Sequence, residues 1–245
     1  MAREFDSKLP DVGTTIFTVM SKLAADTGAI NLSQGFPSFD PPQALTDRVN
    51  WHLTHGGNQY APMPGLPSLR QVIADKTAHF QGRKLDIEAE ITVSTGATEG
   101  LFSAITALVH AGDEVIVFDP AYDSYEPAVN LAGGVTRHVP LHIDANGHDF
   151  HPDWQRVADT VIDKTRLIVL NFPHNPTGAV LTREDLDTLA DIVRNTGCYL
   201  VSDEVYEHIV FDNAPHHSLL SHDELWERSF VISSFGKTLH ATGWK

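Results

Sequence analysis

Three long apolar runs constrain the fold of this chain more than any other feature. They read EVIVFDP from residue 114, RLIVLNFP from residue 166 and CYLVSDE from residue 198. None of them alternates apolar with polar residues, so a strand formed from each would be covered on both faces. The segments between them repeat apolar residues at helical spacing. Buried strands that alternate with amphipathic helices predict an α/β fold, with a mostly parallel sheet and helices on both of its faces.

Shorter patterns complete the predicted sheet and its helices. ITVSTG, GGVTRHVPL and SFVISSF are further predicted strands, because β-branched and other apolar residues dominate them. Helical spacing recurs in 101–109 and in 125–131. The pattern Thr182-Arg-Glu-Asp185 is typical of a capping box, so a helix is predicted to begin there and to end at Gly197.

The residues before Ser68 have a different character. They are rich in Gly, Pro and Asn, and INLSQGFPSFDPP and GNQYAPMPGLP are predicted to be loops. A helix is predicted to follow from Ser68, because four apolar residues recur near one helical face. These residues are Leu69, Val72, Ile73 and Phe80.

The net charge of the chain disfavours some classes of binding partner. The chain has 32 acidic and 17 basic residues, which gives a net charge of −15. A surface of that sign repels nucleic acid and anionic membranes, so neither is a predicted partner. The N-terminus lacks the apolar core of a signal peptide, and no apolar run is long enough to span a bilayer. These features predict a cytoplasmic protein.

Metal and thiol chemistry are not expected. Cys198 is the single cysteine, and its apolar neighbours predict a small buried hydrophobe rather than a nucleophile. The 14 histidines are scattered along the chain without the spacing of a ligand set. We expect His52, His55, His216 and His217 to be surface residues, and we predict no metal site.

The residues that follow each apolar run are the candidates for function, since parallel sheets bind ligands at the carboxyl ends of their strands. Lys237 follows the last run, within Gly236-Lys237-Thr238. A phosphate loop would need a glycine where Val231 stands, which excludes a nucleotide loop. A lysine at this position can instead react with a carbonyl group. The alternative is an ordinary solvated loop lysine.

Three further groups follow other runs. Asp203 ends an apolar strand, where an acidic residue is rare unless it is paired, although a helix cap or a structural ion pair would also explain it. Tyr206 lies about one turn beyond it. Asn175 lies after the 166–173 run, in a sequence that could be a turn and nothing more. Gly96-Ala97-Thr98 leads into a predicted helix, whose N-terminus favours an anion such as phosphate, although turns of this kind are also common where no phosphate binds.

Together these groups can hold a phosphate, contact a flat ring, protonate a ring nitrogen and supply an amine, which is what pyridoxal 5'-phosphate (PLP) requires. The chain also resembles the class I/II aminotransferases of PLP fold type I, most closely those that act on methionine, glutamine and kynurenine. Seven motifs carry the resemblance in family order: NLSQGFPSFDPP, NQYAPMPGLPSLR, STGATEGLF, DPAYDSYEP, LNFPHNPTGAVL, VSDEVYEHIVF and SSFGKTLHATGWK.

The resemblance implies a role for each candidate. Lys237 would bind the cofactor covalently and act as the catalytic base, and Asp203 would pair with the pyridine nitrogen. Asn175 and Tyr206 would hydrogen-bond the ring oxygen, and Tyr122 would stack on the ring. Six residues would contact the phosphate: Gly96, Ala97, Thr98, Ser234, Lys245 and, from a neighbouring subunit, Tyr60. Gly35 would donate its N–H to the substrate carboxylate.

The resemblance also implies the organisation of the protein. Residues 1–45 would form an N-terminal arm and part of a small domain, and 46–245 a PLP-binding large domain. Family members continue beyond this point with an inner antiparallel strand, most of the small domain and a carboxylate-binding arginine, so we expect a C-terminally truncated chain. The expected activity is amino-group transfer from an L-amino acid to a 2-oxo acid by a homodimer. A PLP-dependent C–S lyase and an inactive remnant are the open alternatives.

Overall fold

The computed structural model describes residues 6–35, 37 and 39–244. Within them lie the strands β1 (Glu114–Asp119), β2 (Val135–Pro140), β3 (His142–Ile143), β4 (Phe150–His151), β5 (Thr165–Asn171), β6 (Tyr199–Asp203) and β7 (Ser229–Ile232). The α-helices are α1 (Ile16–Thr27), α2 (Gln43–Thr54), α3 (Pro67–Gln81), α4 (Ala97–Leu108), α5 (Tyr125–Ala132), α6 (Trp154–Thr160), α7 (Arg183–Thr196), α8 (Asp223–Trp226) and α9 (Phe235–Thr238), and a 3₁₀ helix spans Leu219–Ser221.

Five strands form one sheet in the order β2-β1-β5-β6-β7, and every neighbouring pair is parallel. The short strands β3 and β4 pair separately and antiparallel. Apolar clusters cover both faces of the large sheet, so the predicted α/β class is confirmed. The first cluster includes Ile116 of β1 and Leu186 of α7, and the second includes Val115 of β1 and Leu101 of α4. Neighbouring residues of β1 therefore pack on opposite faces of the sheet. Each fully buried side chain of this size contributes about 1.5–3 kcal/mol to folding.

Helix α7 shows how the sequence fixes one of the covering elements. The Thr182 hydroxyl accepts from the Asp185 N–H, and the Asp185 carboxylate accepts from the Thr182 N–H, which is the predicted capping box. The helix ends at Gly197, whose φ of 73° is left-handed. Its buried face carries Leu186 and Leu189, which pack in the first cluster. The predicted helix is therefore confirmed at both ends.

Several local predictions were wrong. The ITVSTG run does not form a strand, although Ile91 is buried. Helices α1 and α2 lie before and after the predicted INLSQGFPSFDPP loop, in residues for which no helix was predicted. In α3 the helix is confirmed, but its buried residues are Arg70, Ala74 and Thr77 rather than the predicted apolar set. The guanidinium of Arg70 donates to the carbonyls of Gly65 and Ile87, which explains why a charged residue occupies the inner face.

The N-terminal helices present apolar surface. Neither α1 nor α2 contains a buried residue, and Ile16, Leu23 and Trp51 are among their exposed side chains. Phe17 is half-buried. In the part of the chain described, no helix combines the length and the apolar character that a membrane span needs.

Candidate functional site

The carboxyl ends of three neighbouring strands, β5, β6 and β7, place the candidate residues together. In the register of the sheet, Asn171 at the end of β5 lies beside Asp203 at the end of β6, and Asp203 lies beside Ile232 at the end of β7. The segment after each strand therefore leaves the sheet at the same edge. Lys237 is reached five residues after Ile232, in the short helix α9.

Asp203 is a buried carboxylate, with 4% of its surface exposed. The Tyr125 hydroxyl donates to its Oδ2 at 2.7 Å, and the Val205 N–H donates to its Oδ1 at 3.3 Å. Burial raises the pKa of Asp203 above its ordinary value, and the negative charge of Glu204 adds to that effect. The hydrogen bond from Tyr125 and the positive charge of Lys237 act in the opposite direction.

Sequence reasoning missed two residues that support Asp203. Tyr125 was recognised only as the start of a helix, yet its hydroxyl is the closest donor to the carboxylate. The buried side chain of Asn171 donates to the Asp203 carbonyl at 3.1 Å and accepts from the Asn175 N–H at 3.1 Å. A signal for Asn171 was present, since it is a polar residue that directly ends an apolar strand.

Lys237 and Tyr206 face each other across the two loops. The Nζ of Lys237 lies 5.5 Å from the centre of the Tyr206 ring, within the range of a cation–π contact. Burial raises the pKa of the Tyr206 hydroxyl, and the nearby Asp203 charge raises it further. The amine, the phenol and the carboxylate thus belong to one electrostatic environment.

Tyr122 extends this environment toward α4. Its ring is half-buried and lies edge-on to Tyr125, with 5.7 Å between the ring centres. Burial raises the pKa of Tyr122, and the charge of Asp123 contributes in the same direction. The Thr98 side chain, in the first turn of α4, acts in the opposite direction and lowers that pKa.

The N-terminus of α4 is open to an anion. Gly96 is the N-cap residue, with φ of 87°, and no side chain caps the helix there. The Glu99 carboxylate accepts from the N–H and the hydroxyl of Thr95, one residue before the cap. The N–H groups of Ala97 and Thr98 begin the helix, where the dipole favours negative charge.

Asn175 and Ser234 hold positions at the same edge. Asn175 is half-buried and is connected through Asn171 to Asp203. Its neighbour His174 is buried, and desolvation lowers the pKa of its imidazole to about 4, so the ring is neutral at pH 7. The Ser234 hydroxyl accepts from the Gly236 N–H at 3.2 Å and caps α9, the helix that carries Lys237.

The remaining predicted residues do not join this group. Tyr60 is fully exposed. Gly35 is exposed, and a Cβ added to it would meet no atom within 4 Å. Lys245 lies outside the described residues.

His216 corrects the expectation of a surface histidine. Only 9% of its side chain is exposed, and its Nε2 lies 2.9 Å from the buried Glu204 carboxylate. The hydroxyl of Ser202 and the N–H of Leu219 donate to the other carboxylate oxygen, so the strand end next to Asp203 is anchored by this network. Cys198 is buried as predicted. Among the described residues, no group of His, Cys, Asp and Glu is arranged to hold a metal ion.

The charge of Asp203 shows whether the site suits pyridoxal phosphate. No ion pair within 6–35, 37 and 39–244 involves Asp203, although its carboxylate is almost fully buried. Buried carboxylates require a positive partner or protonation. A protonated ring nitrogen would supply that partner, while Lys237 offers the amine and α4 the phosphate site. The donor set therefore fits this cofactor.

Comparisons with known proteins identify the relatives of this chain. An Escherichia coli methionine aminotransferase is 51% identical over 239 residues, which are 98% of this chain and 61% of the relative. A probable N-succinyldiaminopimelate aminotransferase of Mycobacterium tuberculosis is 42% identical over 98% of the chain and 60% of its own length. The chain thus spans about three fifths of these relatives.

Solved structures give the same result at the level of the fold. The structure of the Escherichia coli protein YbdL, identified as a methionine aminotransferase, superposes with a TM-score of 0.94 at 50% identity, over 100% of this chain and 63% of that one. The Mycobacterium tuberculosis N-succinyldiaminopimelate aminotransferase superposes with a TM-score of 0.94 at 41% identity, over 99% and 62%. Residues 27–245 match the family described as aminotransferase class I and II. The chain belongs to the class I and II aminotransferase family.

Proposed function

We propose that the protein is an aminotransferase that moves an amino group from an L-amino acid to a 2-oxo acid, with PLP as its cofactor. The observation that carries this proposal is the buried Asp203, which has no ion-pair partner in the described part of the chain and lies beside Tyr206 and Lys237. A ring nitrogen paired with a carboxylate stays protonated, and an amine within reach of the substrate can move a proton.

When bound, pyridoxal phosphate supplies a carbonyl carbon that reacts with amines and a ring that accepts an electron pair. Asp203 would hold the proton on the ring nitrogen, and Tyr206 and Asn175 would donate hydrogen bonds to the ring oxygen. Tyr122 would cover one face of the ring.

Phosphate binding is the task of residues at two helix starts. Gly96, Ala97 and Thr98 would bind it at the start of α4, and Ser234 at the start of α9. Lys245 would add a positive charge, and Tyr60 would reach the phosphate from a second subunit.

Proton movement falls to Lys237. Its amine would bind the cofactor in the resting protein. After the amino acid has entered, the amine would take the proton from the substrate Cα and return a proton to the cofactor carbon. A single group that serves both positions needs a fixed placement, because proton transfer depends steeply on geometry. Gly35 would orient the substrate through its backbone N–H to the carboxylate. A second substrate, a 2-oxo acid, would then reverse the sequence, which predicts ping-pong kinetics.

We propose an amino donor that is methionine-like or aromatic. The proposal is supported by 51% identity to a methionine aminotransferase and by 38% identity to a kynurenine–oxoglutarate transaminase of Dictyostelium discoideum. A panel of amino donors with one 2-oxo acid acceptor tests it, with methionine expected to give the highest kcat/KM. Acidic donors used faster than either class would contradict it.

Lys237→Ala in the full protein tests the reaction itself. Borohydride reduction of the wild type with pyridoxal phosphate should add the cofactor mass to the peptide that contains Lys237, and the variant should lose both this adduct and amino transfer. Lys84→Ala is the matched control, because Lys84 is exposed, and this variant should keep both the adduct and amino transfer. Release of pyruvate, ammonia and a thiol without amino transfer would establish a C–S lyase, and absence of cofactor capture by the wild type would contradict both activities.

We also propose a cytoplasmic homodimer in which 46–245 binds the cofactor and 1–45 forms an arm and part of a small domain. The exposed apolar side chains of α1 and α2 and the fully exposed Tyr60 support an assembly that covers this region. The net charge of −15 argues against nucleic acid and anionic membranes as partners. Light scattering on the full protein should give twice the chain mass, and Tyr60→Phe should weaken cofactor binding without changing that mass. A monomer with full cofactor affinity would contradict the dimer.

A further inference from the structure

The loops that leave β6 and β7 are joined twice. At the strand ends, the Glu204 N–H donates to the Ile232 carbonyl at 2.8 Å. Farther out, the Ser233 hydroxyl donates to Oε1 of Glu207. Glu207 directly follows Tyr206 in the first loop, and Ser233 precedes Lys237 by four residues in the second. The second bond therefore connects the two loops close to the residues that face each other.

Glu207 also receives a cation from a distant part of the chain. The Nζ of Lys76, in α3, lies 2.5 Å from the same Oε1. Only 8% of the Glu207 side chain is exposed. Burial raises the pKa of Glu207, but the hydrogen bonds from Lys76 and Ser233 outweigh it, so the pKa lies below its ordinary value. The carboxylate is thus ionised at neutral pH and held from two sides.

We propose that Glu207 is a positioning residue for Lys237, which it holds against Tyr206 through the Ser233 hydroxyl, while Lys76 fixes the Glu207 carboxylate in place. This inference rests on the proposed function, because it assigns Glu207 to the proton transfer that Lys237 performs. The distance at stake is the 5.5 Å between Lys237 Nζ and the Tyr206 ring centre.

The geometry explains why a second connection is useful. Helix α9 has only four residues, and none of them is buried, so packing alone holds Lys237 weakly. The Ser234 hydroxyl caps this helix from within the same loop and cannot fix the loop relative to Tyr206. The bond between Ser233 and Glu207 supplies a fixed point outside the loop. A displacement of about 1 Å at a reacting group can cost roughly 100-fold in rate.

Ser233→Ala in the full protein is the test, since Ser233 is exposed and its replacement opens no cavity. With pyridoxal phosphate and methionine, kcat should fall roughly 10-fold while KM changes little, because substrate binding is untouched. The isotope effect with α-deuterated methionine should increase, because proton transfer becomes slower than the other steps. In the cofactor-free protein, amide hydrogen exchange across 234–239 should be faster. Ser233→Thr, which keeps the hydroxyl, should restore all three values.

Asp223→Asn is the matched control. It weakens a different long-range ion pair, in which Arg83 Nη2 lies 2.6 Å from Asp223 Oδ1. Its kcat, isotope effect and exchange across 234–239 should equal those of the wild type. If Ser233→Ala behaves like Asp223→Asn in all three measurements, Glu207 does not position Lys237. A wild type that transfers no amino group would contradict the proposed function, whereas hydrogen exchange in the cofactor-free protein tests the positioning by itself.

Discussion

At the scale of single residues, the candidate site is defined by a charge that the described part of the chain does not neutralise. Asp203 is buried with one phenol, that of Tyr125, and the backbone N–H of Val205 as donors. Burying a carboxylate in this way costs stability, and proteins keep such groups where a ligand completes the pairing. The free energy that the cofactor-free protein loses at Asp203 is available for binding a protonated ring nitrogen.

Asp203→Asn should separate the cost of the buried charge in stability from its benefit in cofactor binding. The pKa of Asp203 is raised in the folded protein, so the folded state binds its proton more tightly than the unfolded state does. Its contribution to stability therefore falls as the pH rises from the ordinary value of 3.8 through the raised value. At pH 7 the uncharged amide should raise the melting temperature of the cofactor-free protein and weaken cofactor binding. Thermal unfolding and a fluorescence titration with pyridoxal phosphate measure the two quantities.

Tyr125→Phe should be measured beside Asp203→Asn, because it changes the surroundings of the carboxylate and leaves its charge in place. It keeps the carboxylate and removes its main donor, and a hydrogen bond to a charged group is worth about 1.5–3 kcal/mol. Cofactor affinity should fall roughly 10- to 100-fold, and the melting temperature of the cofactor-free protein should also fall. A melting temperature that falls equally in both variants would show that the Asp203 charge carries no penalty.

Some residues of the site could be predicted and others could not. Lys237, Asp203 and Asn175 each follow an apolar run, and the direction of a parallel sheet is enough to place them at one edge. Tyr125 and Asn171 act through contacts with residues that are 78 and 32 positions away. Such pairs depend on the register of the sheet and on helix packing, which no local pattern specifies.

At the scale of elements, local chemistry determined some boundaries and tertiary contacts determined others. Helix α7 was predicted correctly because its capping box and its end at Gly197 are both local signals. The ITVSTG run has the composition of a strand, but a strand also needs a neighbour to pair with, and the five-stranded sheet ends at β7. The inner face of α3 was mispredicted because Arg70 is satisfied by backbone carbonyls, a contact that periodicity ignores.

Thr182→Ala should destabilise the protein through α7. Loss of an N-cap side chain costs about 1 kcal/mol, which corresponds to roughly 2–4 °C in melting temperature for a protein of this size. Thr188→Ala is the control, because Thr188 is exposed on the same helix and its hydroxyl bonds only the Glu184 carbonyl. Calorimetry on both variants measures this difference in melting temperature. Equal melting temperatures would mean that the capping box contributes nothing to α7.

At the scale of the whole molecule, the site draws one segment from each of several distant parts of the chain. Its residues follow β1, β5, β6 and β7 and include the start of α4. Cofactor binding should therefore protect all of these segments from amide exchange together: 96–99, 120–125, 171–178, 203–207 and 233–239. Exchange measured with and without pyridoxal phosphate tests this, and pyridoxal, which lacks the phosphate, should leave 96–99 less protected. Protection confined to one segment would contradict a site built from all of them.

The wide spacing of these segments along the chain has a consequence for biosynthesis. Gly96 and Lys237 are separated by 237 − 96 = 141 positions. A ribosome that adds about 5–20 residues per second needs roughly 7–28 seconds between them. During that interval the nascent chain can already form β1 and β5, but the Asp203 carboxylate and the Lys237 amine are not yet present together. A cofactor that needs both groups could therefore be captured only after Lys237 has been added and β7 has paired with β6.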